Sequence, residues 1–150
     1  MTDYDKLLEE ACEARKRAYA PYSRYAVGAA LLASSNAVYS GCNVENRSYG
    51  LTVCAERVAL FKAIAAGERR FKALAVVTEG PDLAMPCGAC RQTLAEFGLD
   101  LVIVAATTQG LRTTRLLREL LPLPFIPSEI ADPRLHSPSV AGSGTTMEEE

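Results

Sequence analysis

The chain has 150 residues, 49% of them hydrophobic and 23% charged, with a formal net charge of −2. That length suits one domain with a real core, the composition is ordinary for a globular chain, and the slight acidity offers no electrostatic footprint for a nucleic-acid backbone. No apolar run approaches the ~20 residues that a bilayer-spanning helix needs, and Met1-Thr2-Asp3-Tyr4-Asp5 lacks the basic-then-apolar pattern of a secretory signal. The expected compartment is therefore the cytoplasm, where the five cysteines read as metal ligands or buried thiols instead of disulfides.

Residues 3 to 19 are predicted to be helical, with Asp3 as N-cap, Leu7, Leu8, Ala11, Cys12, Ala14, Ala18 and Tyr19 as an apolar stripe, and Pro21 as the stop. Cys12 on that stripe reads as a small buried hydrophobe. Residues 26 to 33 are almost unbroken apolar sequence, which suits a strand covered on both faces. After the Ser34-Ser35-Asn36 turn, a strand over 38–45 alternates. Val38, Ser40, Cys42 and Val44 then share one face, and the polar pair Asn43 and Glu45 shares the other.

A helix is expected over 53–66, with Val58, Leu60, Phe61 and Ile64 to bury and Gly67 as its stop. A strand over 71–78, a Pro- and Gly-containing loop over 79–86 and a helix over 88–97 follow. Next come a buried strand over 101–106, a short strand over 111–114 and a short helix over 116–121 closed by Pro122. Strands alternating with helices predict an α/β sheet sandwiched between helical layers. Arg112, Arg115 and Arg118 form the basic cluster, read as a solvated face or a subunit contact. Residues 1–136 are expected to be the domain. From 137 the composition turns to Ser, Pro, Gly and Thr with Glu148-Glu149-Glu150 at the end, so 137–150 reads as a disordered tail.

The chemistry sits in Val53-Cys54-Ala55-Glu56-Arg57 and Pro86-Cys87-Gly88-Ala89-Cys90-Arg91-Gln92. Zinc takes the thiolate form, which the partial positive charge at a helix N-terminus favours. Cys54 opens one predicted helix, and Cys87 and Cys90 open the next. A closed structural zinc has four protein ligands, whereas a catalytic one has three and a place for water. The single histidine, His136, lies far down the polar tail, so three cysteines plus a glutamate read as an open, hydrolytic site.

Positions i and i+2 of a helix do not share a face. Cys54 and Glu56 can therefore serve one centre only if it lies beyond the helix end. There Glu56 can carry a proton from water to a substrate nitrogen. Arg57, and secondarily Arg91, are candidates to offset the charge of three thiolates. Cys-x-Glu followed by Pro-Cys-x-x-Cys is the zinc-deaminase signature in its three-cysteine form.

These stretches, with Ala18-Tyr19-Ala20-Pro21-Tyr22-Ser23, Val27-Gly28-Ala29-Ala30-Leu31 and Gly41-Cys42-Asn43-Val44-Glu45-Asn46, give the chain a second reading. Over roughly residues 4 to 130 it resembles the small homotetrameric cytidine deaminases. The resemblance implies a three-layer α-β-α sandwich around a mixed, roughly five-stranded sheet. It also implies zinc-dependent hydrolysis of cytidine or 2′-deoxycytidine to uridine or 2′-deoxyuridine with release of ammonia, and one Zn²⁺ per chain on Cys54, Cys87 and Cys90. Glu56 becomes the proton carrier, Arg57 the donor to the ligand sulfurs, and Asn43 and Glu45 the pair that grips the ribose.

Tyr25 and Ala55 join the substrate-binding set by the same resemblance, with Tyr49 and Phe125 supplied by a neighbouring subunit of a homotetramer with shared sites. Tyr25 stands where the family often has phenylalanine, and Arg47 where it has a small residue. The implied partner is a nucleoside, with no nucleic acid and no membrane. Other readings are a deaminase of a related cytosine nucleoside antibiotic, a non-enzymatic structural zinc module needing a fourth ligand, a redox Cys87-Gly88-Ala89-Cys90, and a deaminase of tRNA or DNA.

Overall fold

The structure, a computed structural model, describes residues 4–125. The chain runs α1 (Asp5–Arg15), β1 (Val27–Ala33), β2 (Val38–Cys42), a one-turn 3₁₀ helix (Tyr49–Leu51), α2 (Ala55–Ala65), β3 (Phe71–Thr78), α3 (Gly88–Ala95), β4 (Val102–Thr107), β5 (Arg112–Leu116) and α4 (Leu117–Leu120). One mixed sheet of five strands has the order β2-β1-β3-β4-β5. Among the described residues only the β3–β4 strand pair is parallel, and α3 lies in the crossover between those strands.

Strand alternation divides the core into two layers. Ala30, Ala73, Ala75, Val77 and Ala106 pack with Leu7 and Ala11 of α1 on one face. Ala29, Leu31, Leu74, Val76 and Ile103 pack with Ala59, Leu60 and Ala63 of α2, Leu94 of α3 and Leu117 of α4 on the other. Leu31, Leu60, Leu74 and Ile103 are fully buried, and each contributes ~1.5–3 kcal/mol relative to exposure. This is the expected three-layer sandwich, and the near-continuous apolar runs of β1, β3 and β4 are explained by helices on both faces.

Two glycines allow the helices to press onto the sheet. A Cβ on Gly28 would meet the Ala11 carbonyl oxygen at 1.9 Å, and one on Gly41 would meet the Ala59 nitrogen at 2.5 Å. Three of the buried residues of α2, Ala55, Ala59 and Ala63, are correspondingly small. Phe61, expected to be buried, is 52% exposed, because it stands two positions, about 200° round the helix, from Ala59 and Ala63, which face inward.

Other boundaries also move. The first helix ends at Arg15, not 19. Tyr19 instead pairs with the chain beyond β2, its N–H donating to the Asn43 carbonyl at 3.0 Å and its carbonyl accepting from the Glu45 N–H at 2.8 Å. Tyr4 takes the N-cap position without a side-chain bond, and Asp3 lies outside the described residues, as do His136 and the 137–150 tail. The ladder of β2 closes at Cys42, and Val44 bridges to both Tyr19 and Val53.

That second bridge keeps Val53 out of α2, which begins at Ala55. The three arginines do not form one basic face: Arg112 pairs with Asp5 at 2.7 Å, Arg118 with Asp100, and Arg115 donates to the Thr114 carbonyl. No helix among the described residues is long and apolar enough to cross a membrane.

Candidate metal centre and substrate cavity

Cys54 is the N-cap of α2 and Cys87 the N-cap of α3, both in extended backbone, and Cys90 lies in the first turn of α3. The two helix ends meet over the sheet, so three sulfurs from two distant stretches fall within 4.8 Å of one another. The Cys54 and Cys87 sulfurs are 3.8 Å apart. Two zinc–sulfur bonds of ~2.3 Å at a tetrahedral angle require about 3.8 Å between sulfurs, so the donor set fits zinc. Among the described residues no fourth His, Cys, Asp or Glu belongs to the group, and Cys12 and Cys42 stand apart from it. Cys42 instead points its thiol at the Arg17 carbonyl, at 3.3 Å. The cluster has the three-ligand form of a catalytic centre.

Its electrostatics favour thiolate. A hydrogen bond from Cys90, with further help from Arg57 and Cys87, holds Cys54 well below the ordinary thiol range. Cys90 is driven upward by its bond to Cys54 and by burial. The pair thus holds a proton that metal binding displaces. Arg57, in the first turn of α2, brings Nη2 to 3.8 Å from the Cys54 sulfur, as expected for a donor that withdraws charge from the ligand.

Arg91 does not share that task. Its Nε donates to the Pro86 carbonyl at 2.6 Å and its Nη1 to the Leu120 carbonyl at 2.9 Å. Arg91 therefore braces the loop that delivers Cys87.

Glu56 is 5% exposed at the start of α2. Burial, with the Cys54 charge nearby, pushes its carboxyl up to about 7. A carboxyl poised near neutrality can pass a proton either way. It lines a cavity of about 270 Å³ together with Cys54, Cys87, Ala55, Tyr25, Asn43 and Glu45. The cavity thus joins metal ligands, the candidate acid/base and the polar pair from beyond β2.

Asn43 and Glu45 are both buried, at 8% and 9% exposure, on the face inferred from alternation. The Asn43 amide spans the start of β1: Oδ1 accepts from the Val27 N–H at 2.9 Å and Nδ2 donates to the Tyr25 carbonyl at 2.8 Å. Glu45 accepts from the Tyr22 N–H at 2.8 Å, from the Ser23 N–H at 3.2 Å and from the Ser23 hydroxyl. Those donors hold its carboxyl below the usual glutamate range, the Ser23 hydroxyl most of all.

Tyr25 and Ala55 reach the cavity, but Tyr49 and Phe125 do not. Tyr49 is 75% exposed and meets Tyr22 edge-on with ring centroids 5.8 Å apart. Phe125 is 78% exposed, its backbone clasped by both ends of the Gln92 amide at 2.8 and 3.0 Å. Sequence reasoning missed Ser23, Thr52 and Met85 in the cavity wall. For Ser23 the available signal was its place in a Pro-Tyr-Ser turn, although nothing local specifies that the turn faces Glu45.

Comparison with known proteins agrees with this geometry. Residues 1–106 match the cytidine and deoxycytidylate deaminase zinc-binding region. The chain is 59% identical over 97 residues to the cytidine deaminase of Sporosarcina psychrophila, covering 63% of this chain and 70% of that one. It is 47% identical over 131 residues to the cytidine deaminase of Halalkalibacterium halodurans, covering 87% of this chain and 99% of the relative. The crystal structure of cytidine deaminase from Burkholderia pseudomallei superposes with a TM-score of 0.79 at 50% identity, over 83% of this chain and all of that one. With three sulfurs spaced for zinc and a buried glutamate beside them, the chain belongs to the zinc-binding cytidine and deoxycytidylate deaminase family.

Proposed function

We propose that this enzyme hydrolyses cytidine and 2′-deoxycytidine to the uridine nucleosides with release of ammonia. The observation that carries the reading is a cluster of three cysteine sulfurs, two of which, Cys54 and Cys87, line one cavity with the buried Glu56. Cys54, Cys87 and Cys90 would hold one Zn²⁺, which when bound supplies Lewis-acid activation of a water molecule.

The chain's own groups do the rest. Glu56 would take a proton from the attacking water and give it to N3 of the pyrimidine, then take the remaining proton from the hydroxyl on C4 and give it to the departing amine. Arg57 draws charge from Cys54, and burial around Glu56 excludes competing water. Asn43 and Glu45 receive the ribose hydroxyls, while Tyr25 and the Ala55 backbone line the approach to the base. Tyr49 and Phe125, exposed on one chain, complete the cavity of a neighbouring subunit in a homotetramer. The acidic balance fits a free nucleoside in the cytoplasm better than a nucleic acid.

One ammonia-release assay with cytidine, with zinc measured on the same sample, tests the proposal. Turnover with stoichiometric zinc is expected, and a metal-free but fully competent sample would overturn it. A panel with cytosine nucleoside antibiotics separates this reading from a deaminase of those compounds.

A further inference from the structure

We infer that Ser23 is a positioning residue for sugar recognition: it fixes the Glu45 carboxylate with one acceptor site left open to the substrate. The inference rests on the proposed role of Glu45 at the ribose. An ionised carboxylate offers about four lone-pair sites and only accepts. The Tyr22 N–H donates to Oε2, the Ser23 hydroxyl donates to Oε1, and the Ser23 N–H is shared between Oε2 at 3.2 Å and Oε1 at 3.3 Å. Three donor hydrogens thus serve both oxygens, leaving capacity for about one more, a hydroxyl arriving from the cavity.

The Ser23 hydroxyl is itself directed. Its oxygen accepts from the Tyr25 N–H at 3.0 Å, so its proton is free to point at Glu45. Ser23 thus ties the segment bearing Tyr25 to the carboxylate. It lines the cavity, and it also lines an adjoining cleft of about 380 Å³ with Tyr22, Tyr49 and Thr52.

The backbone here is built for this contact. Arg24 follows with φ of +58°, left-handed for a residue with a Cβ, and its N–H closes the turn onto the Ala20 carbonyl at 3.0 Å. Such a conformation is costly and persists where surrounding contacts determine it. The carboxylate that gathers two consecutive N–H groups and a hydroxyl is the evident counterpart.

The test measures cytidine kinetics, and inhibition by uridine and by 2′,3′-dideoxyuridine, for wild type, Ser23→Ala, Ser23→Thr and Glu45→Gln, each with zinc content. Ser23 is exposed, so its variants should fold, and Ser23→Gly is the second hydroxyl-free variant. Loss of a charge-assisted hydrogen bond should raise KM for cytidine about tenfold with kcat nearly unchanged. Uridine inhibition should weaken in parallel, inhibition by the dideoxy compound should hardly move, and Ser23→Thr should restore wild-type values.

Equal losses toward both inhibitors, a fall in kcat alone, or no rescue by threonine would overturn the role of Ser23. If Glu45→Gln raises KM while Ser23→Ala does not, the Ser23 inference alone fails. If Glu45→Gln leaves KM unchanged, the sugar-binding role of Glu45 fails, and this inference with it.

Discussion

The two ends of the cavity are built differently. At the metal end every group comes from one chain and sits at the start of a helix, where backbone geometry and dipole hold it: Cys54 and Glu56 on α2, Cys87 and Cys90 on α3. At the proposed sugar end, around Asn43 and Glu45, the groups come from loops, and the large aromatics Tyr49 and Phe125 are mostly exposed. Chemistry that requires sub-ångström placement is carried by rigid elements. Recognition, under the proposed function, falls to loop surfaces that a second subunit would complete.

Variants test this contrast. The largest effect is expected from Glu56→Ala, which should keep its zinc while kcat falls by at least ~10²–10⁴-fold. Steady-state kinetics beside metal analysis would read both, and near-normal turnover would remove Glu56 from the mechanism. Arg57→Ala should weaken zinc affinity by roughly 10–100-fold, as loss of an outer-shell partner does, measured by chelator competition.

Phe125→Ala should retain zinc and lower kcat/KM by roughly 5- to 150-fold, the equivalent of ~1–3 kcal/mol of base stacking. Reassembling Glu56→Ala chains with Phe125→Ala chains should recover activity that neither has alone, because some sites would then draw both intact groups. No recovery would make the sugar end as self-contained as the metal end.

The smallest effect concerns pH and stability. Glu45 has its folded pKa below the ordinary 4.5. Its contribution to stability is therefore present above that value and is lost as pH falls through the lower folded one. Denaturant melts along the acid limb should show a steeper loss for wild type than for Glu45→Gln, and parallel curves would contradict the carboxylate contacts described for the turn.

Much of the site could be read in the linear chain because its spacing is local. Cys54-Ala55-Glu56 and Cys87-Gly88-Ala89-Cys90 each occupy less than one helical turn, so residue identity nearly dictates geometry. The alternation that puts Asn43 and Glu45 on one face is local in the same sense. The misses depend on long-range packing. Phe61 is apolar and helical, yet the face that α2 presents to the core is set by where the sheet lies, and that face carries Ala55, Ala59, Leu60 and Ala63 instead. Residues 16 to 19 continue an apolar pattern, but pairing of Tyr19 with 43–45 takes them out of the helix. Arg91 sits beside a ligand cysteine and nonetheless turns to the carbonyls of Pro86 and Leu120.

The ligand types, the candidate acid/base glutamate and the helices and strands that bear them were legible in the linear chain, since each rests on residue chemistry and on contacts a few positions apart. Packing of distant segments brought Cys54 to 3.8 Å from Cys87, buried Glu56 and aimed the Ser23 turn at Glu45. Those placements follow from how the sheet orders its strands and how closely the helices dock, which are properties of the whole packed core and of no single stretch within it.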